Sequence, residues 1–361
     1  MLFPPIFVAF TVTLVFMAAL RPLAKSVGLV DKPGGRKTHD GDVPIVGGAA
    51  MYMGMAFGLS ILPGFVLAVA FLPVAAGLLV FIGVLDDKFT LPTSVRFITQ
   101  ITAVLIMVYG GGLLLHDLGS PFGLGLLRLG PTALLITLLV TVAVINGFNM
   151  VDGVDGLAGS LALITLAAVS LVGGLAAPTT VIALIAMATI VAYLVFNFPV
   201  ARNRRIRCFM GDAGSTLIGF VIVWVTISIS QGEGRIASPV ICLWFASVPI
   251  YDLFTCFVRR IAKRHSPLKP GRDHFHHTLK RGGLSVRQVV VVLVGLQVLY
   301  ASLGLVAHYA GVTDVVMFTA WSVLGISQHW IIKKYALLAR VEIRQKRATG
   351  QTGKYARPGT F

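Results

Sequence analysis

Asn146, Asn149, Asp152 and Asp155 recur every three residues in the stretch Asn146-Gly-Phe-Asn-Met-Val-Asp-Gly-Val-Asp-Gly-Leu157. On a regular helix this spacing spreads four polar groups over half the circumference; on a three-residue turn it eclipses them on one face. Both arrangements bring two amides and two carboxylates into a common region, and Gly147, Gly153 and Gly156 let the backbone approach a ligand closely. The stretch joins two long apolar runs. At a membrane boundary such a cluster is costly unless a cation or a polar substrate occupies it. Helix caps use one or two such residues, not four in register.

Three further groups share this character. Asp86 and Asp87 end another apolar run, where a helix C-terminus carries partial negative charge and two acids call for a cation or leave one of them to act as a base. A solvated helix end beside Lys88 is the plainer reading of the same pair. Asp212, between Gly211 and Gly214, opens a helix: it either caps that helix or ligates a magnesium ion together with Asn149 or Asp152. His274, His276 and His277 stand among Arg272, Lys280 and Arg281. With no thiol near them in sequence they read as a polyanion site rather than a zinc site, and His39 with Arg36 and Lys37 repeats the pattern more weakly. Together these groups suit transfer of a phosphoryl group between a soluble diphosphate and a lipid phosphate, which needs a divalent cation and positioned positive charge. No P-loop is present, so the phosphate site has to come from these segments.

The elements that position them are membrane spans. Of 361 residues, 56% are hydrophobic and 12% charged, about half the charged share of a soluble domain. Eleven helical spans are expected, near 2–20, 46–64, 67–85, 96–115, 131–147, 158–175, 178–197, 213–231, 236–258, 288–308 and 313–332. The fold class is therefore all-α, a polytopic integral membrane bundle. Segments following odd-numbered spans hold 28 of the 30 Lys and Arg; only Arg128 and Arg235 lie on the other side. The positive-inside rule puts the N-terminus outside, the C-terminus inside and the chemistry-bearing loops (21–45, 86–96, 148–157, 198–212, 259–287) in the cytoplasm. Residues 1–332 then form the transmembrane catalytic domain and 333–361 a basic cytoplasmic tail. The net charge of +16 is largely topological, and nucleic-acid binding is not expected. Cys208, Cys242 and Cys256 form no CxxC pair and suggest neither a disulfide framework nor a zinc site. Gly54 and Gly58 are spaced for close helix packing.

Asp31-Lys-Pro with Arg36-Lys37 and His39, Asp86-Asp87, Asn146-x-x-Asn149-x-x-Asp152-Gly-x-Asp155-Gly, Met210-Gly-Asp-Ala-Gly-Ser215 and His274-x-His276-His277 follow one another in order. In this the chain resembles the polyprenyl-phosphate N-acetylhexosamine-1-phosphate transferases over nearly its full length. The His-Phe-His-His form looks like the branch that uses UDP-N-acetylglucosamine. Thr90 departs from the pattern, since the family often places another acid there, and the arginine-rich 198–208 segment looks longer than usual. The resemblance implies transfer of a sugar-1-phosphate to undecaprenyl phosphate with release of UMP, at the inner face of a bacterial plasma membrane. Such a reaction opens synthesis of a lipid-linked surface polysaccharide (O-antigen, enterobacterial common antigen or a cell-wall polymer). The resemblance also implies Mg2+ or Mn2+ and a homodimer. Carried over by position, Asn149 and Asp212 ligate the metal, and Asp86 and Asp87 lie beside the acceptor phosphate, one of them accepting its proton. Asp152 and Asp155 line the nucleotide side. His274, His276, His277 and Arg272 hold phosphates, and Asp31, Arg36, Lys37 and His39 complete the acceptor side, with Asn146 among the substrate contacts. Other donors of the same chemistry are UDP-N-acetylfucosamine, UDP-N-acetylquinovosamine or UDP-muramoyl-pentapeptide. A cation-coupled transporter is the alternative of another class, but transporters place ionisable groups near the midplane, and here they crowd one face.

Overall fold

A computed structural model describes residues 3–32, 41–62, 67–174, 177–198, 207–262, 264 and 274–348. The protein is an all-α polytopic membrane protein. Its helices are α1 (Phe3–Ser26), α2 (Gly47–Ser60), α3 (Leu67–Phe89), α4 (Thr93–Tyr109), α5 (Ala133–Val151), α6 (Leu157–Gly173), α7 (Pro178–Asn197), α8 (Gly211–Ser230), α9 (Pro239–Phe245), α10 (Ser247–Ala262), α11 (Phe275–Arg281), α12 (Val286–Tyr309) and α13 (Asp314–Ala348). In lipid only a helix closes all its backbone hydrogen bonds within one segment. Each expected span coincides with a helix or a helix pair. Among the described residues seven helices are long and apolar enough to cross a membrane, and the bent pair α9–α10, taken as one span, makes an eighth; α2, α4 and α6 are shorter, at 14, 17 and 17 residues.

The bundle is built around α8, which is buried along nearly its whole length. Small residues let its neighbours come close: a Cβ on Gly48 of α2 would stand 2.3 Å from the Gly214 nitrogen, and one on Gly83 of α3 would stand 2.4 Å from the Ala213 Cα. Helix association in lipid depends on such contact, because apolar burial drives little between helices there. The expected packing at Gly54 and Gly58 is present as well, against Thr13, Ala9 and Pro5 of α1.

Three local expectations are corrected. The span expected at 236–258 is not straight, because α9 and α10 meet at 89°. Side chains from other helices satisfy the break. Gln297 of α12, fully buried, accepts from the Val248 N–H at 2.9 Å and donates to the Phe245 carbonyl, and Thr165 of α6 donates to that same carbonyl at 2.6 Å. These side chains take up the Val248 N–H and the Phe245 carbonyl at the bend, and Pro249 follows without an N–H of its own. Second, α5 continues through Val151, so the segment joining it to α6 is only 152–156 rather than 148–157. Asn146 and Asn149 therefore lie on a helix and Asp152 and Asp155 on the turn after it, not on one uniform element. Third, the first loop contains a small antiparallel ribbon, β1 (Val30–Asp31) with β2 (Val43–Pro44), which continues into a bridge between Ile45 and Phe209.

At the end of the bundle remote from these motifs, residues 110–129 are clamped by polar side chains. Arg235 donates through Nη2 to both oxygens of Asp117 at 2.5 Å, Gln231 accepts from the His116 N–H at 2.9 Å, and Asp314 accepts from the Ser120 N–H at 2.7 Å. Burial alone would raise the Asp117 carboxyl; hydrogen bonds from Arg235 and the Gly119 N–H, with the Arg235 charge, outweigh it and hold Asp117 below its usual range. A depressed native pKa adds stability that is complete above the unfolded-state value of about 4 and fades as pH falls through the native one. Asp117→Asn is therefore expected to lower the thermal midpoint of detergent-solubilised protein at neutral pH. The gap to wild type should close as the buffer is taken below about pH 4, in a melting series across pH.

Candidate active site

The first turn of α8 is held from α3. Asp87 accepts the Asp212 N–H on Oδ1 at 2.9 Å and the Ala213 N–H on Oδ2 at 3.4 Å. A helix N-terminus leaves its first N–H groups without internal partners, and here a carboxylate from another helix supplies them. Asp212 is thus not a cap: it sits inside the first turn, and the residue ahead of the helix, Met210, makes no side-chain cap. Gly211 has φ +68°, and a Cβ there would lie 2.2 Å from the Asp87 Oδ2, so only glycine fits between α8 and its clamp.

This leaves the Asp212 carboxylate free of capping. Its Oδ1 accepts from Asn149 Nδ2 at 2.8 Å, and the same amide nitrogen reaches Ser215 Oγ at 2.9 Å. Its Oδ2 lies 3.3 Å from Arg96 Nη1, which is also 3.3 Å from Asp86 Oδ2. One guanidinium therefore bridges two carboxylates from helices far apart in sequence. Asp86 is fixed in turn by the Leu91 N–H, which reaches its Oδ1 at 2.6 Å. Thr90, with φ +53°, takes the left-handed turn that brings Leu91 back.

Asp152 caps the end of α5 and Asp155 lies in the turn before α6. Burial first, then the charges of Asp212, Asp87 and Asp155, push the Asp152 carboxyl well above its usual range. Arg207 forms an ion pair with Asp155. Buried Asn197 ties this turn to the segment before α8, accepting the Gly156 N–H at 2.7 Å and donating to the Cys208 carbonyl at 2.9 Å. Asn146 donates to Gln100 Oε1 at 2.9 Å and to the Val142 carbonyl at 2.7 Å, bracing α5 against α4.

The histidines arrive on the short helix α11 and its leading residue. His276 is buried, and neither ring nitrogen has a hydrogen-bond partner among the described residues. Burial, then the charges of His277, His274 and Lys280, hold it well below the usual histidine range, so it is a neutral imidazole at neutral pH. A Cβ on Gly153 would stand 2.6 Å from His276 Nε2, so the α5–α6 turn and α11 are in direct contact. His277 packs beside His276 with ring centroids 4.1 Å apart. The expectation of no thiol near the histidines holds only along the sequence: the fold sets Cys256 Sγ 3.2 Å from His274 Nδ1. Gly153→Ala is expected to displace His276 and cut turnover at least about tenfold, with little change in thermal midpoint because the glycine is exposed. Parallel activity and melting assays check this.

One cavity of about 1380 Å³ takes in these groups. Asp31, Asp86, Asp87, Asn146, Asn149, Asp152, Asp155, Asp212, His274, His276 and His277 all line it. Arg36, Lys37, His39 and Arg272 lie outside the described residues. Arg96, Arg207, Tyr193 and Asn197 line it too and were not singled out from sequence. Arg96 and Arg207 looked like ordinary members of a basic face. Asn197 carried one signal, a lone amide ending an apolar run, and Tyr193 carried none.

The donor set fits a divalent cation. Six carboxylates line the cavity, Arg96 already bridges two of them as a cation would, and the Asp212 side chain is about a third exposed to the cavity. Hard oxygen donors of this kind suit magnesium.

The family profile described as Glycosyl transferase family 4 matches residues 66–230. The chain is 38% identical over 341 residues to the undecaprenyl-phosphate alpha-N-acetylglucosaminyl 1-phosphate transferase of Escherichia coli, covering 94% of this chain and 93% of that protein. It is 35% identical to the protein of the same name from Yersinia pestis, covering 96% and 95%, and 35% identical to that from Haemophilus influenzae, covering 95% and 98%. With near-complete coverage on both sides, and the paired acids, the Asn–Asp turn and the histidine helix sharing one cavity, the chain belongs to glycosyl transferase family 4, in the branch these transferases represent.

Proposed function

We propose that the protein transfers N-acetylglucosamine-1-phosphate from UDP-N-acetylglucosamine to undecaprenyl phosphate, releasing UMP, and so opens synthesis of a lipid-linked surface polysaccharide. The observation that carries this reading is the single cavity lined by Asp86, Asn149, Asp212 and His276, which come from four separate segments. We further propose eleven crossings of a bacterial plasma membrane, with the cavity facing the cytoplasm and the N-terminus outside.

In the reaction, an oxygen of the lipid phosphate attacks the phosphorus that carries the sugar. A new P–O–P bond forms, the bond to the UMP oxygen breaks, and UMP takes that electron pair. A phosphate monoester has a second pKa of about 6, so the acceptor is mostly a dianion at neutral pH and needs orientation more than a strong base. Arg96 supplies a fork of donors for it, held in place between Asp86 and Asp212. Asp86 takes whatever proton the acceptor brings, on the oxygen that faces Arg96, while both Asp87 oxygens hold backbone N–H groups of α8. Neutral His276, with two nitrogens unpartnered among the described residues, donates to a diphosphate oxygen without adding permanent charge. His277 and Lys280 extend this donor surface. Asp152 and Asp155 line the nucleotide side, the latter steadied by Arg207. Asp212 and the Asn149 carbonyl oxygen would hold Mg2+, the Asn149 amide nitrogen aligning that carboxylate. When bound, the ion neutralises diphosphate oxygens and stabilises the charge that UMP carries away.

Purified protein with undecaprenyl phosphate, Mg2+ and a panel of UDP-sugars tests the assignment. UMP release with UDP-N-acetylglucosamine above the other donors, abolished by chelation, is the expected result. Preference for a fucosamine, quinovosamine or muramoyl-pentapeptide donor would replace the donor while keeping the chemistry. Substrate flux in proteoliposomes without UMP release would favour a transporter.

A further inference from the structure

The histidine helix is anchored by a carboxylate that none of the steps above uses. Asp252 lies in α10, just past the 89° break, and is 1% exposed. A carboxylate so deeply buried persists only with partners, and both of its hydrogen-bond partners are at the start of α11. Oδ1 accepts the Phe275 N–H at 2.7 Å, closing the first turn, and Oδ2 lies 3.0 Å from His274 Nδ1. Cys256, one turn further along α10, places Sγ 3.2 Å from that same nitrogen. The ligand atoms of Asp252, Cys256 and His274 lie within 4.8 Å of one another, but each is already engaged in these contacts.

A carboxylate on one ring nitrogen fixes the tautomer and orientation of an imidazole. The Asp252 carboxylate favours the tautomer protonated on Nδ1, which leaves Nε2 for the cavity that His274 lines. The His274 and His276 rings are stacked, with centroids 5.7 Å apart and planes 4° from parallel. Fixing the first ring therefore fixes the next, and His276 in turn meets Gly153.

We infer that Asp252 is a positioning residue: it locks His274 and the opening of α11 in one orientation and so presents His276 and His277 to the cavity. The inference rests on the reading of that cavity as a site of sugar-phosphate transfer. The bend between α9 and α10, held by Gln297 and Thr165, acquires a purpose by this account, because a straight span would carry Asp252 away from α11.

Asp252→Asn keeps the shape and one acceptor for the Phe275 N–H, but turns an N–H donor toward the His274 N–H. The expected result is a fall in kcat/KM for the nucleotide sugar of about 10–100-fold, with KM for the lipid phosphate within about twofold of wild type. Added to His274→Ala, the substitution should cost nothing more, because it acts through that ring. His274→Asn, whose amide N–H stands where Nδ1 stands, should retain about tenfold more activity than His274→Ala. A second readout needs no turnover. With Cys208 and Cys242 replaced by serine, maleimide labelling of buried Cys256 should speed up at least about tenfold in Asp252→Asn and His274→Ala, and much less in His274→Asn. Near-wild-type kinetics for Asp252→Asn, losses that add to those of His274→Ala, or equal labelling of the two His274 variants would overturn the inference. If the wild-type protein transfers no sugar phosphate, the reading of the cavity falls, while the labelling contrast still decides what Asp252 does.

Discussion

Asp212→Asn should abolish nearly all metal-dependent UMP release, by roughly 10²–10³-fold, in protein that remains folded. The substitution leaves the α8 clamp intact, because Asp87 holds the backbone N–H groups of Asp212 and Ala213 rather than their side chains. An asparagine can still accept from Asn149, so local packing is preserved. What disappears is the charge that balances Arg96 on one side and, in the proposed reaction, would hold the cation on the other. Arg96 is then left to pair with Asp86 alone. The loss should appear in kcat at saturating Mg2+, and thermal midpoint and gel-filtration profile should match wild type. Activity within a few-fold of wild type would remove Asp212 from the metal site.

Asp87→Ala should be as damaging to turnover but should also cost stability. It leaves two N–H groups at the start of α8 without an acceptor and removes a carboxylate placed favourably at a helix N-terminus, together about 1–2 kcal/mol. Because Asp212 is carried by that same turn, its carboxylate loses register with Asn149 and Arg96. Misplacing a reacting group by about 1 Å is enough to cost roughly 10²-fold in rate. Asp86→Ala removes the acceptor of the Leu91 N–H and a partner of Arg96 beside Asp212, whereas Asp87 holds two N–H groups of α8, so its thermal midpoint should fall less than that of Asp87→Ala. Melting curves and UMP release measured on both variants separate the carboxylate that holds the helix from the one that faces the acceptor. Equal thermal losses would contradict the division.

Much of the polar lining of the cavity could be read from the sequence because polar groups are conspicuous in an apolar chain. Asp86, Asp87, the Asn146–Asp155 series and the histidines each broke an apolar run or stood in a loop, and the approximate positions of the spans, though not their ends, followed from run lengths. What could not be read was non-local. Asp87 acts on a helix that begins more than a hundred residues later, and no local pattern at either end announces that contact. Asp212 had the composition of a cap, and only the placement of α3 shows that another residue fills that role. The break between α9 and α10 depends on Gln297, which in sequence is one amide inside an apolar helix. Arg96 carried no signal beyond its charge, since a positive-inside loop predicts an arginine there for other reasons. Cys256 and His274 are brought together by that same unforeseen bend.

In the proposed reaction the sugar leaves its nucleotide together with a phosphate, in the cavity where Asp212, Asp86, Arg96 and His276 would act on one diphosphate. The most direct measurement is the product balance of the purified protein given UDP-N-acetylglucosamine, undecaprenyl phosphate and Mg2+, with nucleotide and lipid products resolved by mass spectrometry. The account predicts one UMP for each undecaprenyl diphosphate-linked N-acetylglucosamine, with no UDP. Release of UDP with a singly phosphorylated glycolipid would mean that the bond broken is the sugar's own, and would contradict it.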